Sequence, residues 1–250
     1  RQVCKIHIGA VVPVYNHPRH LKRLVKHLHE QQLAVILVDD GSTDESAVMI
    51  DVLQQEHAER VHVIRHPHNR GKGVAVRSGL LQADALGWSH VLQVDADGQH
   101  HWQDIERFVA QAEQHPEHMI IGKPIFDGTI SKTRFYGRYA THVWVWLNTL
   151  SAEIRDSMCG FRVYPVAATC AQIRHHHMDE RMGFDSEILV YLHWQGVRFI
   201  NLPTPVTYPV NGISHFLPWS DNLKLGRTHA KLFLGMLWRL PMLLGRRIGK

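Results

Sequence analysis

Cysteine is scarce in this chain: Cys4, Cys159 and Cys170 are its only three, odd in number and far apart. That argues against a disulfide framework and against a cysteine-based zinc site, and with no signal-peptide pattern the expected compartment is the reducing cytosol. The chain begins at Arg1 rather than Met, so we expect a piece of something longer. No run of about 18 uncharged apolar residues is written anywhere, and none of the sequence reads as a membrane span. The 21 histidines are scattered, without a His-Glu-x-x-His frame. The triplet His175 to His177 sends adjacent side chains in different directions, which does not suit a metal. A Gly-Lys-Ser/Thr phosphate loop is missing, and in "NRGKGVAVRSG" the third glycine of a dinucleotide fingerprint is replaced by Val76. Repeats and low-complexity tracts are absent.

What is present suffices for a sizeable core: 44% of residues are hydrophobic and 20% charged, compatible with one domain or one domain with appendages. A formal charge of +5 favours an anionic partner without choosing among nucleic acid, phosphorylated metabolite and lipid. Short apolar runs at 6–14, 34–38, 61–65 and 90–94 alternate with helical spacing at 17–32, from Asp44, from Gly71 and at 102–114. Such alternation predicts an α/β fold, a mostly parallel sheet with helices on both faces. Residues 1–122 read as a nucleotide-binding half and 123–216 as a second, acceptor-side half of one catalytic domain. The second half contains a helix, "FDSEILVYLHWQG", stopped by Gly196, and two short strands, "VRFINLP" and "PVTYPV". Residues 217–250 are apolar and basic together.

In parallel α/β sheets, ligands bind beyond the carboxyl ends of the strands. Here the strands end in "VPVYN", "VDDGSTD", "HPHNRGKG" and "DADGQH", so polar residues gather at one sheet edge. Along an extended strand Asp95 and Asp97, flanking Ala96, point the same way. Two such carboxylates need a cation, and oxygen ligands suit Mg²⁺ or Mn²⁺, with the Gln99 amide joining and Gly98 freeing the turn. The plainer alternative is a solvated turn with aspartate as a helix cap; the position after a buried strand in a βα array favours the metal. Asp39 or Asp40 can accept hydrogen bonds from a base or ribose, while Ser42, Thr43 and Asp44 can start a helix. Lys72 and Arg77 read equally as a solvated helix face or as phosphate contacts.

Taken together, "VVPVYN", "VDDGSTD", "NRGKGVAVRSG", "DADGQH", "DSMCGFRVYP" and "GFDSEILVYLHWQG" resemble, in order and spacing over about residues 8–215, the family 2 inverting glycosyltransferases. The likeness is to their polyprenyl-phosphate, dolichol-phosphate mannosyltransferase-like branch. It implies a GT-A fold that binds a nucleotide-diphosphate sugar with a divalent metal. By the same resemblance Pro13, Tyr15 and Asp39 surround the base and ribose with Asp40 beside them. Asp95, Ala96, Asp97 and Gln99 match the metal and diphosphate motif, Asp97 being its catalytic member, and Lys123 matches a basic residue for the nucleotide sugar. A cation there stabilises the departing diphosphate more in the transition state than in the ground state. A hydroxyl acceptor would need a base, for which Asp156 is the nearest carboxylate; a lipid phosphate, already anionic, would instead meet Lys132, Arg134 and Arg138.

The implied activity is transfer to a membrane-associated, lipid-linked acceptor in envelope glycan or glycolipid synthesis. It would be carried out peripherally on the inner face of the cytoplasmic membrane, with no nucleic-acid partner. The alternatives are transfer to a polysaccharide hydroxyl and a catalytically silent sugar-nucleotide-binding subunit, against which the intact D-x-D-x-Q pattern speaks. Two departures stand out. Where the branch carries an arginine before its G-x-S, "TYPVNGISHF" offers Tyr208, Ser214 and His215. The pair of spanning helices found in some relatives is also missing from these residues. From about 223 to 250, Leu232, Phe233, Met236, Leu237 and Leu240 recur at helical spacing beside Trp238 and several Lys and Arg, a pattern that suits a bilayer surface or packing on the catalytic domain.

Overall fold

The computed structural model describes residues 6–126, 132–207 and 218–248; the side chains of 132–135, 218–224 and 247–248 are left aside. The βα rhythm is realised as β1 Ile8–Val14, α1 Leu21–Glu30, β2 Val35–Asp39, α2 Ser46–Glu56, β3 Val61–Arg65, α3 Lys72–Ala85 and β4 His90–Gln93. A 3-10 turn, Trp102–Asp104, leads into α4 Ile105–Gln114, followed by β5 His118–Phe126 and α5 Lys132–Thr149. The remainder is β6 Arg162–Pro165, α6 Val166–His175, α7 Gly183–Gln195, β7 Arg198–Val206 and α8 Pro218–Ile248.

Seven strands form one sheet in the order β3-β2-β1-β4-β6-β5-β7. The first four are parallel, β6 runs antiparallel between β4 and β5, and β7 is parallel to β5. From β1 the chain steps outward to β2 and β3, then returns to place β4 on the other side of β1. That reversal opens a crevice beyond the ends of β1 and β4, where α/β sheets bind ligands. Strands buried on both faces need apolar runs, and β2, "VILVD", is buried throughout. One face is covered by α3, α6, α7 and α8 around Leu80, Tyr164, Phe184, Ile188 and Met236. The other is covered by α1, α2 and α4 through Leu21, Leu24, Ile50, Leu53 and Phe108. β5 passes through residues 122 and 123 without a break, so both halves share one sheet.

Two expectations are corrected. The first of the two expected short strands and the start of the second, Pro205 and Val206, form one strand, β7, paired with β5 over its whole length, while residues 208–210 of the second lie outside the described residues. Pro203 and Pro205 look like breaks but are tolerated because β7 is an edge strand. The C-terminal helix packs on the core: of the expected bilayer stripe, Leu232 and Met236 are in the core, Phe233 and Leu240 pack against it, and Leu237 is exposed.

Helix α3 also crosses β1 unusually closely. A Cβ on Gly79 would lie 2.4 Å from Val11 Cγ1. In an open helix Gly→Ala gains about 1 kcal/mol, whereas overpacking costs about 1–3 kcal/mol. Gly79→Ala should therefore lower stability by up to about 2 kcal/mol in urea denaturation; a gain would mean that α3 lies farther from β1.

Candidate active site

The floor of the crevice is built by loops that hold one another. At the end of β1, Pro13 and Tyr15 are half-buried, and Asn16 takes the left-handed conformation at φ 55°. Its backbone N–H donates to Ser42 Oγ at 3.2 Å, and the Thr43 N–H donates to its Oδ1 at 2.9 Å. Asp39 is buried; the Ser42 N–H donates to its Oδ1 at 2.9 Å and Arg65 Nη1 to its Oδ2 at 2.8 Å.

Asp40, expected beside the base and ribose, faces inward. Its Oδ1 accepts from the Arg70 N–H at 3.0 Å and pairs with His66 Nδ1 at 2.7 Å, and its Oδ2 accepts from the Gly71 N–H at 2.8 Å. With the carboxylate 3% exposed and both oxygens engaged, Asp40 shapes the loop before α3. Gly71, at φ 103°, and Gly73 let that loop press against Asp179 to Arg181; a Cβ on Gly73 would meet the carbonyl oxygens of Asp179 and Arg181 at 2.8 Å.

The metal motif departs from its expected geometry. β4 stops at Gln93, and Asp95 to Gly98 form a turn with Gly98 at φ 74°, so alternation along a strand does not set the two aspartates. Lys72, at the start of α3, donates to Asp95 Oδ2 at 2.8 Å, and His100 Nε2 stands 3.7 Å from the same oxygen. Asp95 Oδ1 is buried without a hydrogen-bond partner. Asp97 is half-buried, its Oδ1 accepting from the Gln99 N–H at 3.0 Å. The loop is tied down by Thr207, whose N–H donates to the Gln99 carbonyl at 3.1 Å. Among the described residues no three His, Cys, Asp or Glu side chains gather as a closed metal cage.

Behind this motif runs a row of alternating charges, Asp95 and Lys72 partly buried and Asp185 and Arg162 buried. Lys72 Nζ is 3.6 Å from Asp185 Oδ2, and Asp185 Oδ1 is 3.6 Å from Arg162 Nη1. Burial opposes the Lys72 charge, but Asp185 and Asp95 outweigh it and hold the ammonium well above the ordinary lysine range. Burial likewise opposes the Asp95 charge, yet Lys72 and His100 hold its carboxyl well below the usual range. Arg162, fully buried, donates to the carbonyls of Cys159 at 2.6 Å, Ser157 at 2.8 Å and Asp185 at 2.8 Å. Room for the arrangement depends on Gly160, where a Cβ would lie 2.5 Å from Asp95 Oδ2 and 2.8 Å from Lys72 Nζ. Sequence reasoning gave Asp185, Arg162 and His100 no role and left Lys72 undecided. The available signal was charge inside apolar surroundings: Asp185 in the helix "FDSEILVYL" and Arg162 before "VYP".

On the acceptor side, the structure reverses the expected role of Asp156. Arg138 grips it with Nε to Oδ2 and Nη2 to Oδ1, both at 2.7 Å. The N–H groups of Met158 and Cys159 donate to Oδ1 at 2.9 and 2.7 Å, and His142 Nε2 lies 3.2 Å from Oδ2. Although burial opposes its charge, the His142 and Arg138 contacts hold this carboxyl well below the ordinary aspartate range. A carboxylate so satisfied makes a weak base. The expected base and the expected acceptor cation thus neutralise each other. Lys123 is exposed on β5, and the side chains of Lys132 and Arg134 lie outside the described residues, as do Tyr208, Ser214 and His215.

With this geometry in view, the comparisons identify the family. The family model described as Glycosyl transferase family 2 matches residues 10–181, and the chain belongs to that family. Dolichyl-phosphate beta-glucosyltransferase of Homo sapiens is 30% identical, the match covering 93% of this chain and 78% of that protein. The Mus musculus protein of the same name is 31% identical over 73% of this chain, which spans 61% of that relative's length. Polyprenol monophosphomannose synthase of Mycolicibacterium smegmatis is 27% identical over 62% of this chain and 60% of its own length. Among solved structures, S. aureus TarS in complex with UDP-GlcNAc aligns at a TM-score of 0.64 and 17% identity, over 91% of this chain and 66% of that one. Glucosyl-3-phosphoglycerate synthase from Mycobacterium tuberculosis, in complex with Mn²⁺, UDP-glucose and phosphoglyceric acid, aligns at 0.60 and 14% identity, over 92% and 79%. These share the fold, which is GT-A, as expected.

The Asp156 pair generates a pH prediction. Removing one partner of a buried ion pair costs about 3–5 kcal/mol, so Asp156→Asn should lose about that much stability near neutral pH. The native carboxyl is depressed, so its contribution is present above the ordinary value of 3.8 and is lost as pH falls below it. Denaturant titrations should show the wild type and Asp156→Asn converging as pH drops below that value; a constant gap would refute the assignment.

Proposed function

We propose that this chain is an inverting, divalent-metal-dependent glycosyltransferase that moves a sugar from a nucleotide-diphosphate sugar to a lipid-linked phosphate. The observation that carries the reading is the saturated Asp156. An acceptor hydroxyl must lose a proton to a base, whereas a phosphate monoester oxygen is already anionic near neutral pH and needs none. The names of the human, mouse and mycobacterial relatives, which join a sugar to dolichyl or polyprenyl phosphate, support the same acceptor class.

The residues present fit a divalent cation. Asp95 Oδ1 is a buried oxygen without a partner, and Asp97 and Gln99 add oxygen donors on the same turn. Mg²⁺ and Mn²⁺ bind through one or two carboxylates with substrate phosphates completing the shell, so an incomplete protein cage is what such a site requires. When bound, the cation supplies positive charge to the departing diphosphate. Lys72 holds Asp95 ionised and in place, and Asp185 keeps Lys72 charged. Pro13 and Tyr15 form the wall for the base and ribose, with Asp39, held by Ser42 and Arg65, and Asp40 fixing the loops beneath. Lys123, exposed on β5, is the basic residue proposed for the nucleotide sugar. Arg138 is held by Asp156 and placed 5.6 Å over the Phe126 ring, and Lys132 and Arg134 precede it on the same helix as candidate acceptor cations.

Nucleotide sugars incubated with Mn²⁺ and a short-chain polyprenyl phosphate test this reading. The wild type should transfer sugar, and Asp97→Ala should lose about a hundredfold or more of that turnover while staying folded. Lys72→Met should weaken Mn²⁺ affinity by about 10–100-fold, read by titration in the presence of nucleoside diphosphate. Near wild-type turnover of Asp97→Ala at limiting Mn²⁺ would overturn the site.

A further inference from the structure

Helix α5 buries Val145 but leaves a second stripe outside: Tyr136, Tyr139, Val143 and Leu147 are all exposed, at spacings of three and four residues. Helix α8 repeats the pattern. Leu232, Met236 and Leu243 pack into the core, while Leu234, Leu237, Trp238 and Leu244 face away, Trp238 being 86% exposed. The two stripes meet at Trp144, which is itself exposed and stacks on His229 of α8 at 5.9 Å with Phe233 edge-on at 6.5 Å. A soluble surface rarely gathers this much apolar area without something to cover it.

Charge selects the occupant. Setting aside Arg138, paired with Asp156, and Lys231, paired with Glu187, α5 and α8 still contain seven Lys and Arg against a single acid, Asp221, whereas the rest of the chain has 19 Lys and Arg against 22 Asp and Glu. A second copy of the chain seated on this face would bring like charge against like charge. A planar, anionic and apolar partner matches both properties. We infer that the outward faces of α5 and α8 together dock on a bilayer containing anionic phospholipid. The inference deepens the lipid-acceptor reading and rests on it for the reason a bilayer should lie close. Arg138 extends from the same α5 to Asp156, so docking would bring lipid phosphate to the acceptor side of the crevice. No helix among the described residues is long and apolar enough to cross a membrane, and the docking is interfacial.

Sedimentation of the full chain with phosphatidylcholine vesicles, with and without phosphatidylglycerol, tests the surface. Binding should need phosphatidylglycerol and weaken with added salt. It should fall about tenfold or more both in Leu234→Ser/Leu237→Ser/Trp238→Ser and in Tyr139→Ser/Val143→Ser. All five side chains are exposed, so melting should match the wild type and confirm the fold. Transfer to a short-chain, water-soluble polyprenyl phosphate without vesicles should be retained by both variants. Failure of that transfer in the wild type would overturn the proposed function while leaving vesicle binding to decide the surface. Undiminished vesicle binding by both variants, or binding indifferent to lipid charge, would overturn the docking surface. Self-association relieved by the same substitutions, with no vesicle binding, would overturn it in favour of a second copy.

Discussion

The partly buried ammonium of Lys72, set between two carboxylates, is the constraint on which the rest of the site depends. A charge removed from water needs opposite charge beside it, and Lys72 finds it in Asp95 at 2.8 Å and Asp185 at 3.6 Å. Those carboxylates arrive from the turn after β4 and the first turn of α7, so the start of α3, the end of β4 and the start of α7 must converge. Gly160 leaves the space, and Gly71 and Gly73 admit the loop before α7 against α3. Arg162 balances the far side of Asp185, donating also to its carbonyl, and fastens the "DSMCG" loop through the carbonyls of Ser157 and Cys159. The row Arg162, Asp185, Lys72, Asp95 thereby joins the donor motif to the loop that carries Asp156.

That connection bears on the chemistry. The same loop that orders the metal motif also buries Asp156 under Arg138 and His142, and a carboxylate ionised by such neighbours gains little by taking a proton. An acceptor that arrives ionised removes the need. Under the proposed function, α5 packed against α8, with outward apolar stripes on both, would bring a lipid phosphate to the acceptor side of the crevice.

Much of this fold was readable from periodicity. Apolar runs followed by helical spacing located four strands and their helices, and "DADGQH" was found because like charges at the end of a buried run demand a partner. What remained hidden depended on distance in space. Strand order, and hence the crevice between β1 and β4, is not written in local pattern. Asp39 and Asp40 are neighbours of the same type, yet Arg65 and Ser42 claim one while His66 and two backbone N–H groups claim the other. Pro203 and Pro205 read as breaks because an edge position cannot be recognised from sequence. In α8 apolar residues recur on opposite sides of the helix, and only tertiary packing separates Leu232 and Met236, turned inward, from Leu234 and Trp238, turned outward.

The central claim is that the proposed acceptor brings its own negative charge to a site where, among the described residues, Asp156 is already engaged and makes a weak base. Its most direct test is a competition between a short-chain polyprenyl phosphate and the corresponding polyprenol for one labelled nucleotide sugar, with the anomeric configuration of the product read by NMR. The account predicts sugar on the phosphate alone, with the configuration inverted relative to the donor. Glycosylation of the polyprenol at a comparable rate, or retention of configuration, would contradict it.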